Sequence, residues 1–150
     1  MTTFFVDTSA LSKRYIVETG TIWVRSWINP LAGNVVVFSE LAIVEMFSLL
    51  ARKQRERHLT MSDLARLQRA FLWHTANEYV VDLLNTPVVT SARSLISKYP
   101  LRALDAIQLA SALDARTILS EPLVFISADR NLLVAAGGEG FTVDDPNAHP

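Results

Sequence analysis

The chain has 150 residues, half of them apolar, and a formal net charge of −1. That length supports one substantial core, and the charge gives no global field for nucleic acid, so any such binding must rest on a local patch. The absence of cysteine excludes disulfides, thiolate zinc sites and cysteine nucleophiles.

The first apolar stretch, "TTFFV", reads as a strand, and Asp7 interrupts it before a signal segment can form. "TSALSKRYIVE" follows as a helix ending near Gly20, and "TIWVRSWI" as a second amphipathic helix that stops before Asn29 and Pro30. "NVVVF" (34–38) is a β-branched run suited to a buried parallel strand. Ser39 is the expected N-cap of the long helix "ELAIVEMFSLLARKQ". Glu45 interrupts the apolar run 41–51, which falls short of the roughly 20 residues of a membrane span.

Thr60 and Asp63 form a variant capping box ahead of the helix "LARLQRAFLWHTA". "EYVVD" (78–82) is a short strand, and Thr86 followed by Pro87 reads as N-cap and first turn of a helix to about Lys98. After the break at Tyr99 and Pro100, "LRALDAIQLASALDART" is a helix apolar nearly all round, which predicts burial against a sheet. "PLVFIS" is another buried strand, "ADRNLLVAA" a short helix, "GGEG" its C-terminal turn and "FTV" a last strand. The pattern predicts an α/β fold: a single domain, 1–143, with a mainly parallel central sheet flanked by helices as an α/β/α sandwich. Residues 144–150 read as a C-terminal tail expected to fray. The chain as a whole reads as soluble and cytoplasmic.

In such a sheet, ligands bind beyond the carboxyl ends of the strands. Asp7 sits there after the first strand, and Asp129 lies two residues past Ser127 at the end of "PLVFIS". Glu45 and Asp105 lie in helical stretches whose neighbours are apolar, where an uncompensated acid is costly. Singly, each acid has a plain explanation: Asp7 and Asp129 as helix caps, Glu45 as a partner of Lys13 or Arg14, Asp105 as a partner of Arg102. Jointly they could converge on one cleft. Two carboxylates about 4 Å apart repel by about 4 kcal/mol at an effective dielectric of 20, so such a cluster calls for a cation or shared protons. An all-oxygen site selects Mg²⁺ or Mn²⁺ over zinc, and such metals can activate water against a phosphodiester.

In order along nearly the whole chain, "VDTSAL", "ELAIVEMFSLLAR", "LRALDAIQLASAL" and "LVFISADRNLL" resemble PIN-domain ribonucleases, and more narrowly the VapC-type toxins of VapBC toxin–antitoxin pairs. The resemblance implies that Asp7, Glu45, Asp105 and Asp129 form an acidic cluster that binds Mg²⁺ or Mn²⁺ and hydrolyses RNA, with Thr8, Ser9 and Ser127 as supporting polar residues. Glu40 begins the same helix as Glu45, but five residues turn a helix so far that the two lie about 140° apart, and Glu45 is the one among apolar neighbours. The resemblance further implies a small VapB-like antitoxin that blocks the site, and a homodimer. Candidates for holding the RNA backbone are Lys13, Arg14 and the basic patch of Arg52, Lys53, Arg55 and Arg57. The helical stretches 39–51 and 64–73 are candidates for an interface or simply core.

The alternative is a catalytically inactive PIN-like binding module. Other enzyme classes fit poorly. The D-x-D of haloacid dehalogenase phosphotransferases is broken by Ser9, no G-x-G-x-x-G or Walker A motif is present, and the histidines show no H-E-x-x-H spacing.

Overall fold

The computed structural model describes residues 1–150. Strand β1 (Thr3–Val6) is apolar on both faces because both are covered: Phe5 packs into one core layer, Phe4 and Val6 into the other. Its neighbours repeat the pattern, so the strands β2 (Val35–Ser39) and β4 (Val124–Ile126) are continuous hydrophobic runs and not alternating ones. With β3 (Val80–Asp82) and β5 (Thr142–Asp144) they make a five-stranded sheet in the order β3-β2-β1-β4-β5, parallel at every pairing. The oldest strand in sequence is therefore the central one.

Helices α1 (Thr8–Leu11), α2 (Thr21–Ile28), α3 (Leu41–Arg55) and α4 (Met61–Asn77) cover one face, burying Leu11, Val24, Met46, Leu50 and Phe71. Helices α5 (Thr86–Lys98), α6 (Ala103–Leu119) and α7 (Arg130–Gly138) cover the other with Val88, Leu95, Leu109, Ala112 and Leu132. This is the single-domain α/β/α sandwich expected from the sequence.

Three local expectations give way. The helix expected over 8–18 ends at Leu11 and tightens into a 3-10 turn, Ser12–Arg14. The cause is Lys13, only 4% exposed, whose Nζ donates to Glu18 Oε1 (3.1 Å), the Thr19 carbonyl (2.8 Å) and Asn147 Oδ1 (3.0 Å). The cap of α5 is Asn85, whose Oδ1 accepts from Val88 N at 3.0 Å, so Thr86 and Pro87 lie inside the first turn, where proline's missing N–H costs nothing. At α3, Glu40 occupies the cap position without a side-chain cap bond, and Ser39 Oγ accepts from Leu41 N and from Ser111 Oγ. The Thr60–Asp63 capping box forms as expected, with both bonds at 3.0 Å.

Residues 144–150 carry a 3-10 turn, Pro146–Ala148, that lies on Lys13 through Asn147. The His149 ring stacks on Trp23 with centroids 4.1 Å apart. Gly20, at φ +86°, faces the Pro146 carbonyl so closely that any side chain would collide with it.

At the outer edge, Asp82 ends β3 opposite Ser39 and faces Asp114 of α6. Burial first, and the neighbouring carboxyl second, push the Asp82 pKa up to about 7. Protonation of Asp82 relieves the repulsion between the two. A folded pKa above the unfolded value means this contribution is whole at acid pH and is lost as pH rises through about 7, by up to about 1.4 kcal/mol per pH unit. Between pH 5 and pH 8, Asp82→Asn is expected to remove part of the parent's fall in melting temperature and to melt higher at pH 8. An identical slope in variant and parent would count against a raised Asp82 pKa.

Candidate active site

The β1 strand delivers Asp7 to the carboxyl edge of the sheet, and its N–H extends the ladder by donating to the Ile126 carbonyl at 3.1 Å. The carboxylate is held on both oxygens. Oδ1 accepts from Ser9 Oγ (2.7 Å) and Ala10 N (3.1 Å), and Oδ2 from Ser127 Oγ (2.8 Å). Asp7 thus caps α1, as its plain reading has it, and also feels the charge of Glu45. It is 5% exposed, and burial raises its pKa to about 6 against the pull of those three donors, with the charge of Glu45 adding to the rise.

Ser9 and Ser127 tie the two central strands together beyond their ends. Ser9 Oγ accepts from Ala128 N at 2.9 Å, and Ser127 Oγ from Asp129 N at 3.0 Å. Asp129 then caps α7, its Oδ1 accepting from Leu132 N at 3.1 Å. Asp105, in the first turn of α6, pairs with Arg102 at 3.3 Å as helical spacing suggests. The same guanidinium lies 4.0 Å from Asp129 Oδ2. One cation therefore spans two of the acids.

Glu45 reaches inward from α3 and pairs with neither Lys13 nor Arg14. Its Oε1 accepts from Thr8 Oγ1 (2.8 Å) and from Gln108 Nε2 (2.7 Å). Arg14 instead meets Glu78 at 2.8 Å. Glu40 turns away from the site, accepting from Leu84 N at 3.1 Å. Lys13 and Arg14 are thus engaged in the fold, whereas Arg52, Arg55 and Arg57 remain exposed at and beyond the end of α3.

The acids are held pairwise. Asp7 couples to Glu45, and Asp105 to Asp129 through Arg102; no group of three stands at metal-ligating separation. Unscreened carboxylates repel, and hydroxyl, amide and guanidinium donors are what hold these in place. The set still fits a hard divalent cation: every donor is oxygen, Asp7 is a buried carboxylate with no cationic partner, and the buried Gln108 Oε1 has no hydrogen-bond donor.

Gln108 was not anticipated from the sequence. The signal lay in its spacing, because Asp105, Gln108, Ser111 and Asp114 recur every three residues along α6 as a polar row that slips about 60° round a mostly apolar helix at each step. Each member meets a different strand end or helix. Asp105 faces Arg102, Gln108 meets Thr8 and Glu45, Ser111 Oγ lies 3.0 Å from Ser39 Oγ, and Asp114 meets Asp82.

A family model for the PIN domain matches residues 4–138. Across 150 residues the chain is 29% identical to Ribonuclease VapC47 of Mycobacterium tuberculosis, covering 96% of this chain and 97% of that protein. In fold it is similar to a chain of a toxin-antitoxin complex from Klebsiella pneumoniae, with a TM-score of 0.61 and 17% identity over 95% of this chain and 97% of that one. It is also similar to FitAcB from Neisseria gonorrhoeae, with a TM-score of 0.62 and 18% identity over 95% and 97%. At those identities the two structural likenesses concern the fold.

Proposed function

The chain belongs to the PIN domain family, and from that premise we propose that it is a metal-dependent endoribonuclease, the VapC-type toxin of a type II toxin–antitoxin pair. The observation that carries this reading is Asp7: a carboxylate buried at the sheet edge beside Glu45, held by hydroxyl and amide donors and by no cation. The similarity to a protein named Ribonuclease VapC47 supports it.

In this reading Asp7, Glu45, Asp105 and Asp129 hold Mg²⁺ or Mn²⁺, which when bound supplies an activated water and stabilises the charge that builds on the phosphate during in-line attack. The chain's own groups prepare that site. Ser9 and Ser127 fix the Asp7 carboxylate, Thr8 fixes Glu45, and the cap bond on Asp129 Oδ1 leaves its Oδ2 toward Arg102. The exposed Arg52, Arg55 and Arg57 offer charge to an RNA backbone. The proposed catalytic unit is residues 1–143; the tail 144–150 starts at the last residue of β5 and packs back on Lys13 and Trp23. A small VapB-like antitoxin, a homodimeric state and a cytoplasmic location complete the proposal. No helix is long and apolar enough to cross a membrane.

One observation favours the inactive binding-module reading: the Arg102 guanidinium, 3.3 Å from Asp105 and 4.0 Å from Asp129, already offsets part of their charge. The two readings separate in one experiment, cleavage of a mixed cellular RNA pool with Mg²⁺, Mn²⁺ or EDTA by the parent and by Asp105→Asn. Discrete fragments that need metal and vanish in the variant are expected. Equal inertness of both proteins, with no rise in melting temperature on adding Mn²⁺, would establish the binding module instead.

A further inference from the structure

We propose that Gln108 is a positioning residue: it fixes which oxygen of Glu45 is presented to the metal and locks together the three elements that carry Asp7, Glu45 and Asp105. The inference rests on the metal-dependent reading above.

Helix α6 is packed on its inner side by Ala106, Leu109, Ala110 and Ala112. An amide 2% exposed in that setting is costly unless it is bonded. Gln108 Nε2 donates to Glu45 Oε1 at 2.7 Å and to Thr8 Oγ1 at 3.2 Å, while Thr8 Oγ1 donates to Glu45 Oε1 at 2.8 Å. The direction of this triangle is fixed by chemistry. An ionised carboxylate only accepts, so the Thr8 proton points to Glu45 and the Thr8 lone pair receives Gln108.

Both donors converge on Oε1. Glu45 Oε2 is thereby left as the oxygen free to meet a cation. The arrangement spans α3 through Glu45, α1 through Thr8, next to Asp7, and α6 through Gln108, one turn beyond Asp105. Removing the amide would free the Glu45 carboxylate to rotate. Gln108 Oε1 lacks a donor. An amide serving only the core would satisfy both ends, whereas this one satisfies Glu45 and leaves its own oxygen unpaired.

The test is a Mn²⁺ titration followed by thermal melting of the metal-free and metal-loaded protein, for the parent, Gln108→Leu and Thr8→Val. Leucine matches the glutamine in size and removes the unpaired oxygen, so Gln108→Leu is expected to melt at or above the parent without metal. Its apparent Mn²⁺ affinity is expected to fall about 10- to 100-fold, the range for groups that orient a ligand. Thr8→Val should weaken binding similarly, and the double variant should lose less than the two single losses multiplied together, because both act on one oxygen. Thr8→Ser, which keeps the hydroxyl, should restore binding, and Thr8→Val carries the same test should Gln108→Leu not fold. A lower metal-free melting temperature with unchanged Mn²⁺ affinity would make Gln108 a structural residue only and overturn the inference. A parent that Mn²⁺ does not stabilise would overturn the metal reading itself, and this inference with it.

Discussion

Asp7→Asn is expected to lower RNA cleavage by about three orders of magnitude, equivalent to about 4 kcal/mol of transition-state stabilisation, while making the protein more stable at pH 8. The two effects have opposite signs because they come from one charge. A carboxyl whose folded pKa is about 6 against an ordinary 3.8 contributes its full stability below about pH 4 and loses it as pH rises through about 6. At pH 8 the buried charge costs about 3 kcal/mol, an amount reduced by any water that reaches it. Asparagine keeps an acceptor for Ser9 and Ala10 and carries no charge, so the variant should melt higher than the parent at pH 8 and close to it at pH 4.5. Cleavage assays and melts on the same preparations decide it. A variant that cuts like the parent would reduce Asp7 to a helix cap, and one less stable at both pH values would make its carboxylate a structural group.

The same residue shows how far the sequence could be read. Asp7 behind an apolar strand, Glu45 and Asp105 among apolar neighbours, and Asp129 past a strand end are each conspicuous because a charge there conflicts with local hydrophobicity. Gln108 conflicts less, since an uncharged amide is tolerated on many helix faces, and its role depends on the approach of α3 and α1 from distant parts of the chain. The Asp82–Asp114 pair was hidden for a similar reason. It exists only because β3 pairs with β2 in a register that sets Asp82 opposite Ser39, under the third turn of α6.

Strand identities were legible from continuous β-branched runs. The early end of α1 was not, because Lys13 is drawn inward by a carbonyl, a carboxylate and an amide, two of them from the next few residues and one from the far end of the chain. Local propensity carries no trace of such a contact. The shift of a cap from Thr86 to Asn85 has a smaller cause, since both residues can cap and the proline fits either of the first two helical positions.

Phe5→Ala should give the largest loss of stability from a single core change, about 3–5 kcal/mol, and lower the melting temperature by roughly 10 °C or more. Phe5 is fully buried on the central strand and stacks on Phe125 with ring centroids 5.5 Å apart and planes 15° from parallel. It is flanked by strands on both sides, so the space its ring leaves cannot close by a local shift of the backbone. Phe5→Leu, which keeps most of the volume, should cost much less. Denaturant melts would show the difference as a lower midpoint with the slope retained. A loss below about 1 kcal/mol for the alanine variant would mean that α5 and α6 settle into the space.

The placement of β1 between β2 and β4 has a consequence in time. Asp7 and Ser127, joined at 2.8 Å, are 120 positions apart, and the bond from Ser9 to Ala128 spans 119. Chains emerge from the ribosome in order, and contacts of such separation form late. A nascent chain carries Asp7 and Glu45 long before it carries the serine and the fourth acid that complete the cluster. Any later opening that parts the first strand from the fourth dismantles the same cluster, and because that seam lies at the middle of the sheet, fraying at the edges leaves it intact. On the proposed reading, the site is incomplete while the chain is being made and comes together only in the finished fold.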